Sequence, residues 1–131
     1  MSIDWKSLFA AAEQARRRAH APYSKFKVGV AVLAADGTVH PGCNVENASY
    51  GLTVCAERNA LARLVVEGQK PQAVAIVVDS RRPTPPCGAC RQVLYELCPP
   101  GTPVVTRTVS GKQRRYTVAG LLPDAFSGDD L

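Results

Sequence analysis

The run Ala73-Val74-Ala75-Ile76-Val77-Val78 is the stretch that decides the fold of this chain. Such a continuous apolar segment, rich in β-branched residues, predicts a strand that is buried on both faces, inside a sheet covered by helices on either side. Around it, apolar periodicity predicts helices at 4–20, 54–67 and 88–97 and strands at 27–35, 38–45, 103–109 and 112–118. The order α-β-β-α-β-α-β-β predicts a three-layer α/β/α sandwich around a five-stranded mixed sheet.

Capping and turn residues set the expected ends of these elements. Asp4 or Ser2 is expected to cap the first helix and Thr53 the second, while Gly68 is expected to stop the second helix. Hairpin turns are predicted at 36–37 and 110–111, and a short helix or turn at 117–122. The second helix carries apolar residues on more than one side, which predicts deep burial.

Length and composition place the chain among single globular domains. The chain has 131 residues, of which 46% are hydrophobic and 21% charged, so we expect one domain over residues 1–131 and exclude a disordered chain. No stretch approaches the roughly 18–20 apolar residues of a membrane-spanning helix, so we expect no membrane association. The beginning Met-Ser-Ile-Asp-Trp-Lys does not resemble a signal peptide, and the expected location is the cytoplasm.

The net charge of +5, from 16 Lys and Arg against 11 Asp and Glu, raises the question of a nucleic-acid partner. Most basic residues lie in separate short clusters at 16–18, 81–82 and 112–115, and aromatic residues barely interleave with them. This scatter favours a solvated surface over a groove for a polynucleotide. We therefore expect no nucleic-acid partner.

The cysteines are the first indication of chemistry. Their odd count and a reducing compartment argue against a disulfide framework. Cys87 and Cys90 share one face at the start of a predicted helix, and Cys55 lies at the start of another, where the helix dipole favours the thiolate that binds zinc. Three protein ligands leave a fourth position for water, as in catalytic zinc sites. Glu57 lies near enough to take a proton from that water.

Other uses of these cysteines are less consistent with the spacing. A structural zinc site with Cys43 or Cys98 as fourth ligand would normally show two close-spaced pairs. A redox C-x-x-C pair would leave Cys55 unexplained. We expect Cys43 and Cys98 to be small buried apolar residues, and neither His20 nor His40 lies in a ligand-spaced pattern.

C-x-E followed by P-C-x-x-C is the all-cysteine variant of the zinc-deaminase signature. The chain also resembles the small, homotetrameric cytidine deaminases in segments that occur in order along most of its length. These segments are Ala21-Pro22-Tyr23-Ser24-Lys25-Phe26, Gly42-Cys43-Asn44-Val45-Glu46-Asn47-Ala48-Ser49-Tyr50, Cys55-Ala56-Glu57-Arg58, Pro86-Cys87-Gly88-Ala89-Cys90-Arg91-Gln92 and Leu121-Leu122-Pro123-Asp124-Ala125-Phe126. The zinc signature alone indicates the superfamily, whereas the asparagine–glutamate segment and the tail are more specific.

The resemblance implies a reaction and a cofactor. One Zn²⁺ per chain is expected on Cys55, Cys87 and Cys90, and zinc-activated water is expected to attack C4 of the pyrimidine of cytidine or 2′-deoxycytidine. Glu57 is expected to protonate N3 and then the departing amine, so that uridine or 2′-deoxyuridine and ammonia form, a reaction of pyrimidine salvage.

The resemblance also implies the substrate contacts, at Phe26, Asn44, Glu46, Tyr50, Ala56 and Phe126. Asn44 and Glu46 match residues that hydrogen-bond the ribose hydroxyls, and a negative Glu46 would repel a phosphate, which favours a free nucleoside. Phe26 matches an aromatic of the base pocket. Phe126 is expected to reach a neighbouring subunit's base site in a homotetramer.

Arg58 has an electrostatic rationale. Three thiolates on a divalent cation leave a net negative centre, which is a poorer Lewis acid than a neutral one. An arginine beside Cys55 can donate hydrogen bonds to the sulfur and withdraw charge, a role that the resemblance also implies. Two departures from the family pattern are Asn59, where the family commonly has threonine, and the variable stretch 51–54. These departures affect the fine shape of the pocket.

Three alternatives stay open at the level of sequence. A blasticidin deaminase would share the size, the three-cysteine zinc site and the tetramer. A base-editing deaminase on tRNA or single-stranded DNA would typically have histidine in place of Cys55 and would need a groove for flanking nucleotides. A zinc-stabilised interaction module would have no use for Glu57 or for an open zinc position.

Overall fold

The apolar run at 73–78 forms the centre of a five-stranded mixed sheet in the computed structural model, which describes residues 2–131. The helices are α1 (Trp5–Arg17), α2 (Ala56–Val66), α3 (Gly88–Leu97) and α4 (Val118–Leu121). The strands are β1 (Val28–Ala34), β2 (Val39–Cys43), β3 (Pro71–Val78), β4 (Pro103–Thr108) and β5 (Gln113–Thr117). The strand order is β2-β1-β3-β4-β5, in which β3 and β4 are parallel and the other neighbours are antiparallel.

Each face of the sheet has its own hydrophobic core. On one face, α1 packs Leu8, Phe9 and Ala12 against alternate residues of β1, β3 and β4, such as Ala75 and Val105. On the other face, α2, α3 and α4 cover the intervening residues, which include Val30, Val32, Val74, Ile76 and Val104. Because β3 is buried from both sides between Ala73 and Val78, its side chains in this stretch are all apolar. The predicted three-layer α/β/α sandwich is confirmed.

The first helix is shorter than predicted. Asp4 caps α1, as expected, by accepting a hydrogen bond from the Ser7 backbone N–H at 3.2 Å. The helix ends at Arg17 rather than at residue 20, because the backbone of His20 pairs with the segment after β2. The His20 N–H donates to the Asn44 carbonyl at 3.0 Å, and the His20 carbonyl accepts from Glu46 N–H at 2.8 Å. Tertiary backbone pairing therefore overrides the helical pattern here.

The second helix begins later than predicted, and the expected Thr53 cap is wrong. Cys55 is the residue before the first turn of α2, whereas the Thr53 hydroxyl accepts from the Asn47 N–H at 3.2 Å. Gly68 follows the helix with φ +69°, as the predicted stop requires. The predicted deep burial of this helix holds for one side only, because Val65 and Val66 are 54% and 85% exposed.

A close approach between β2 and α2 depends on a glycine. A Cβ on Gly42 would lie 2.6 Å from the Ala56 carbonyl oxygen and 2.7 Å from the Ala60 nitrogen. Both distances are shorter than ordinary van der Waals contact, so only a glycine lets the first turns of α2 lie this close to the sheet. The position of Cys55 and Glu57, which lie in and beside that turn, follows from this packing.

A membrane span does not occur within residues 2–131, since each helix described there is too short or too polar to cross a bilayer.

Candidate active site

The beginnings of α2 and α3 bring three cysteine sulfurs together. Cys55 and Cys87 are the residues immediately before the two helices, and Cys90 lies in the first turn of α3. The three Sγ atoms lie within 4.8 Å of one another, and those of Cys55 and Cys87 are 3.7 Å apart. Two sulfurs bound to a tetrahedral zinc at 2.3 Å are about 3.8 Å apart. The donor set and its spacing therefore fit a zinc ion.

The electrostatics of the three thiols also call for a cation. Hydrogen bonding from Cys90, then from Arg58 and Cys87, lowers the pKa of Cys55 to about 5. The pKa of Cys90 is raised, chiefly because its hydrogen bond to Cys55 holds its proton and then because it is buried. Without a cation, one sulfur is negative and opposes ionisation of the next. A divalent cation removes that conflict and lets all three ligate as thiolates.

Arg58 lies beside the three cysteine sulfurs, as its position close to Cys55 in the sequence predicts. Its Nη2 atom lies 3.6 Å from Sγ of Cys55 and 3.5 Å from the Thr53 carbonyl oxygen. Its Nε atom is buried and has no hydrogen-bond partner among residues 2–131. The guanidinium thus places positive charge against the negative sulfur, which raises the pKa of Arg58 as well.

Glu57 points into the protein from the first turn of α2. The residue is 5% exposed, and burial is the main cause that raises the pKa of its carboxyl. A carboxyl group in such surroundings holds a proton more readily than an ordinary glutamate. The Glu57 carboxylate is therefore a better proton acceptor than that of an ordinary glutamate.

A cavity of about 190 Å³ opens beside the sulfurs at the carboxyl end of β3. Its walls are mostly apolar. It is lined by Phe26, Val28, Asn44, Thr53, Cys55, Ala56, Glu57, Ile76, Val78, Thr84, Pro85 and Cys87. The volume is below the ~300–1,000 Å³ of pockets that enclose a drug-sized ligand. It suits one planar ring rather than a ring with a sugar attached.

A second, more open cleft adjoins this cavity, and Thr53 lines both. Glu46 lies in this outer cleft, where its carboxylate accepts hydrogen bonds from Tyr23 N–H at 3.0 Å, from Ser24 N–H at 3.2 Å and from the Ser24 hydroxyl. The Ser24 hydrogen bond is the main cause that lowers the pKa of Glu46, so the group is ionised at neutral pH. Tyr50 also lines the outer cleft and is 77% exposed.

Asn44 forms the wall between the sheet and the cavity. Its side-chain oxygen accepts from Val28 N–H and its side-chain nitrogen donates to the Phe26 carbonyl, each at 2.8 Å. An amide has two donors and two lone pairs, so one of each stays available for a ligand. The same hydrogen bonds hold Phe26 at the cavity mouth, where it is 38% exposed.

One of the residues selected from sequence does not join the others. Phe126 is 60% exposed and lines neither the cavity nor the outer cleft of its own chain. Within residues 2–131, Cys43 and Cys98 also lie outside the sulfur cluster. Cys98 is buried, as predicted, and burial raises its pKa to about 12. Cys43 is half-buried, so the burial predicted for it is only partly right.

Several residues of the site were missed from sequence. Thr84 and Pro85 line the cavity, and their place in the proline-rich loop just before P-C-x-x-C is a signal that could have found them. Arg91 was also missed. Its Nε donates to the Pro86 carbonyl at 2.7 Å and thereby braces the segment that leads into Cys87.

Comparison with known proteins agrees with this site. A family model described as the cytidine and deoxycytidylate deaminase zinc-binding region matches residues 3–106. The chain is 51% identical over 130 residues to a cytidine deaminase from Halalkalibacterium halodurans, covering 98% of each chain. It is 44% identical to one from Mycobacterium tuberculosis, covering 98% of this chain and 94% of that protein.

A solved structure gives the same result for the fold. The crystal structure of cytidine deaminase from Burkholderia pseudomallei is similar with a TM-score of 0.91 and 48% sequence identity, over 95% of this chain and 100% of that one. The similarity extends over nearly the whole of both chains. The chain therefore belongs to the cytidine and deoxycytidylate deaminase family.

Proposed function

We propose that this chain, as a single deaminase domain over residues 1–131, hydrolyses cytidine and 2′-deoxycytidine to uridine and 2′-deoxyuridine with release of ammonia, in pyrimidine salvage. The observation that carries the proposal is the buried Glu57 beside three clustered cysteine sulfurs, on the wall of an apolar cavity of about 190 Å³. Cys55, Cys87 and Cys90 hold one Zn²⁺, and Arg58 offsets the charge of the thiolates.

The protein's own groups account for the proton transfers. When bound, zinc lowers the pKa of a water molecule toward about 7 and so supplies a nucleophile at neutral pH. Glu57 accepts one proton of the attacking water and delivers it to N3 of the pyrimidine, then accepts the second proton from the same oxygen and delivers it to the amine that leaves from C4. Its raised pKa, caused mainly by burial, favours this shuttling over permanent ionisation. The apolar walls exclude bulk water from the ring.

The two adjoining cavities divide the substrate between them. The pyrimidine ring occupies the small apolar cavity, and Phe26 and Ala56 contact it. The sugar lies outward in the cleft of Glu46 and Tyr50. Three of the roughly four lone-pair sites of the Glu46 carboxylate accept from Tyr23 and Ser24, so one is left for a ribose hydroxyl. Its negative charge repels phosphate groups, which disfavours nucleotides and polynucleotides.

The active protein is proposed to be a homotetramer. Large apolar side chains stand exposed on the single chain, among them Tyr50, Leu52, Val65, Val66 and Phe126. A second copy of the chain is the usual cover for such surface in a small enzyme. Phe126 completes a neighbour's base site, which explains why its ring lies away from its own cavity.

The cytoplasm is the proposed location. The zinc ligands must be free thiolates, and a reducing compartment keeps closely spaced cysteines from forming disulfides.

A direct assay tests the function. Purified, zinc-replete protein is incubated with cytidine, and the loss of the cytidine absorbance band is followed, with ammonia measured in parallel. 2′-Deoxycytidine, cytidine monophosphate, blasticidin S and a cytosine-containing oligonucleotide serve as comparison substrates. We expect turnover of both nucleosides and little of the others. Absence of turnover of cytidine, with one zinc per chain present, would refute the proposal.

A further inference from the structure

The C-terminal segment 118–130 is held firmly along its main chain while its aromatic side chain stays outside. The Thr117 hydroxyl accepts from Gly120 N–H at 3.0 Å, and Ser127 and Asp130 cap each other's backbone N–H groups. Asp124 adopts a left-handed conformation with φ +53°. Yet Phe126, in the middle of this ordered segment, is 60% exposed.

Two neighbouring side chains of α3 tie this segment to the rest of the chain. Nη1 of Arg91 donates to the Leu121 carbonyl at 3.0 Å, which satisfies the last turn of α4. Nε2 of Gln92 donates to the carbonyl of Phe126 itself at 2.9 Å. The turn of α3 that contains Cys90 therefore also holds the C-terminal segment at two residues, Leu121 and Phe126.

This arrangement is unusual for a phenylalanine that serves only its own chain. An apolar ring on a loosely held segment would turn inward and reduce its contact with water. Here the hydrogen bond is made by the backbone of the exposed residue, so the main chain is fixed while the ring projects outward. Such a geometry is needed when the ring must arrive at one place on another chain.

We propose that Gln92 is a positioning residue for substrate binding. By holding the carbonyl of Phe126, it sets the direction in which the phenyl ring leaves the subunit, toward the substrate cavity of a second copy of this chain. The same helix turn carries a zinc ligand, so the ring and the metal site of one subunit keep a fixed relation. This inference rests on the proposed function, and specifically on the shared site.

The test replaces Gln92 with a side chain of equal length that cannot donate. Gln92→Met keeps the net charge, and we expect zinc content, molecular mass and kcat near those of the wild type. The KM for cytidine is expected to rise about 3–10-fold, the size of one neutral hydrogen bond. Gln92→Glu, which also lacks the donor, is expected to do the same and covers a failure of the first variant to fold. Gln14→Met, at an exposed position on α1, is the matched control.

A double-mutant cycle separates positioning from general destabilisation. If Gln92 acts through the ring, Gln92→Met raises KM no further in a chain that already carries Phe126→Ala. A wild-type KM in both Gln92 variants, or the same rise in the Phe126→Ala background, would overturn the inference. Both results presuppose that the wild type deaminates cytidine, so failure of the proposed function itself is seen separately.

Discussion

Sγ of Cys55 lies 3.7 Å from Sγ of Cys87, although 32 residues separate the two along the chain. Each cysteine immediately precedes a helix, and both helices cover the same face of the sheet. The partial positive charge of the two helix N-termini therefore acts on the same small volume. The zinc site therefore depends on two helix N-termini, which are set locally, and on the tertiary packing that brings them together.

Replacement of Glu57, the proposed proton shuttle, should remove nearly all turnover and leave the site intact. Glu57→Gln keeps the shape of the side chain but cannot carry protons, so we expect a loss of about 10²–10⁴-fold in kcat or more. Zinc content, measured by metal analysis, should stay at one per chain. A zinc-replete variant with near wild-type turnover would mean that another group moves the protons.

The cysteines should divide into ligands and bystanders. Cys87→Ala or Cys90→Ala removes one of the three proposed protein ligands, so we expect loss of zinc on dialysis. Cys98→Ala and Cys43→Ala should retain zinc and lose about 1 kcal/mol of unfolding free energy from packing. Stoichiometric zinc in the Cys87 variant would contradict the ligand assignment.

Arg58 should tune the metal centre. Arg58→Ala leaves the negative thiolates uncompensated, and we expect a decrease of about 10–100-fold in metal affinity or activity. Competition with a chelator measures the affinity, and steady-state kinetics measures the rate. Arg63→Ala, in the last turn of the same helix, is the control and should change neither. Unchanged affinity and rate in the Arg58 variant would make it a surface residue.

Phe126 should act in a neighbouring subunit. Phe126→Ala is expected to raise KM with little change in zinc, and deletion of 121–131 should cost both assembly and activity. Light scattering should give the wild type a tetrameric mass. Full activity at the mass of one chain would exclude a shared site.

Co-expression gives a stricter test of the shared site. Chains with Glu57→Gln and chains with Phe126→Ala are each expected to be impaired on their own. Mixed assemblies contain sites in which an intact Glu57 meets an intact Phe126 from the next chain. Recovery of a low-KM fraction is therefore expected, and its absence in verified mixed tetramers would contradict the exchange of Phe126 between subunits.

Gly42 should matter for the site rather than only for stability. Gly42→Ala places a methyl group against the first turns of α2, and we expect a loss of about 1–3 kcal/mol in unfolding free energy together with weaker zinc retention. Gly29→Ala is the matched control, because its methyl group would overlap the Ala12 carbonyl of α1, on the opposite face. Urea unfolding should show that both variants are destabilised, whereas only Gly42→Ala should lower the zinc content per folded chain.

The sequence by itself determined the elements whose signals are local. The apolar run at 73–78 specifies a strand buried on both faces, and the spacing of Cys87 and Cys90 brings two thiols together at the start of one helix. Gly68 can end α2 because a glycine adopts the left-handed conformation found there without steric strain. C-x-E with P-C-x-x-C indicated the chemistry because the reaction needs those groups close together in space.

Tertiary structure alone decided what depends on distant partners. The local sequence predicts Thr53 as a helix cap, but its hydroxyl accepts a hydrogen bond from the Asn47 N–H instead. Backbone pairing of His20 with residues 44–46 shortens α1. The hydrogen bond from Gln92 to the Phe126 carbonyl spans 34 residues and leaves no local trace in the sequence. Local patterns report propensities within a few residues, whereas these contacts are set by the packing of the helices on the sheet.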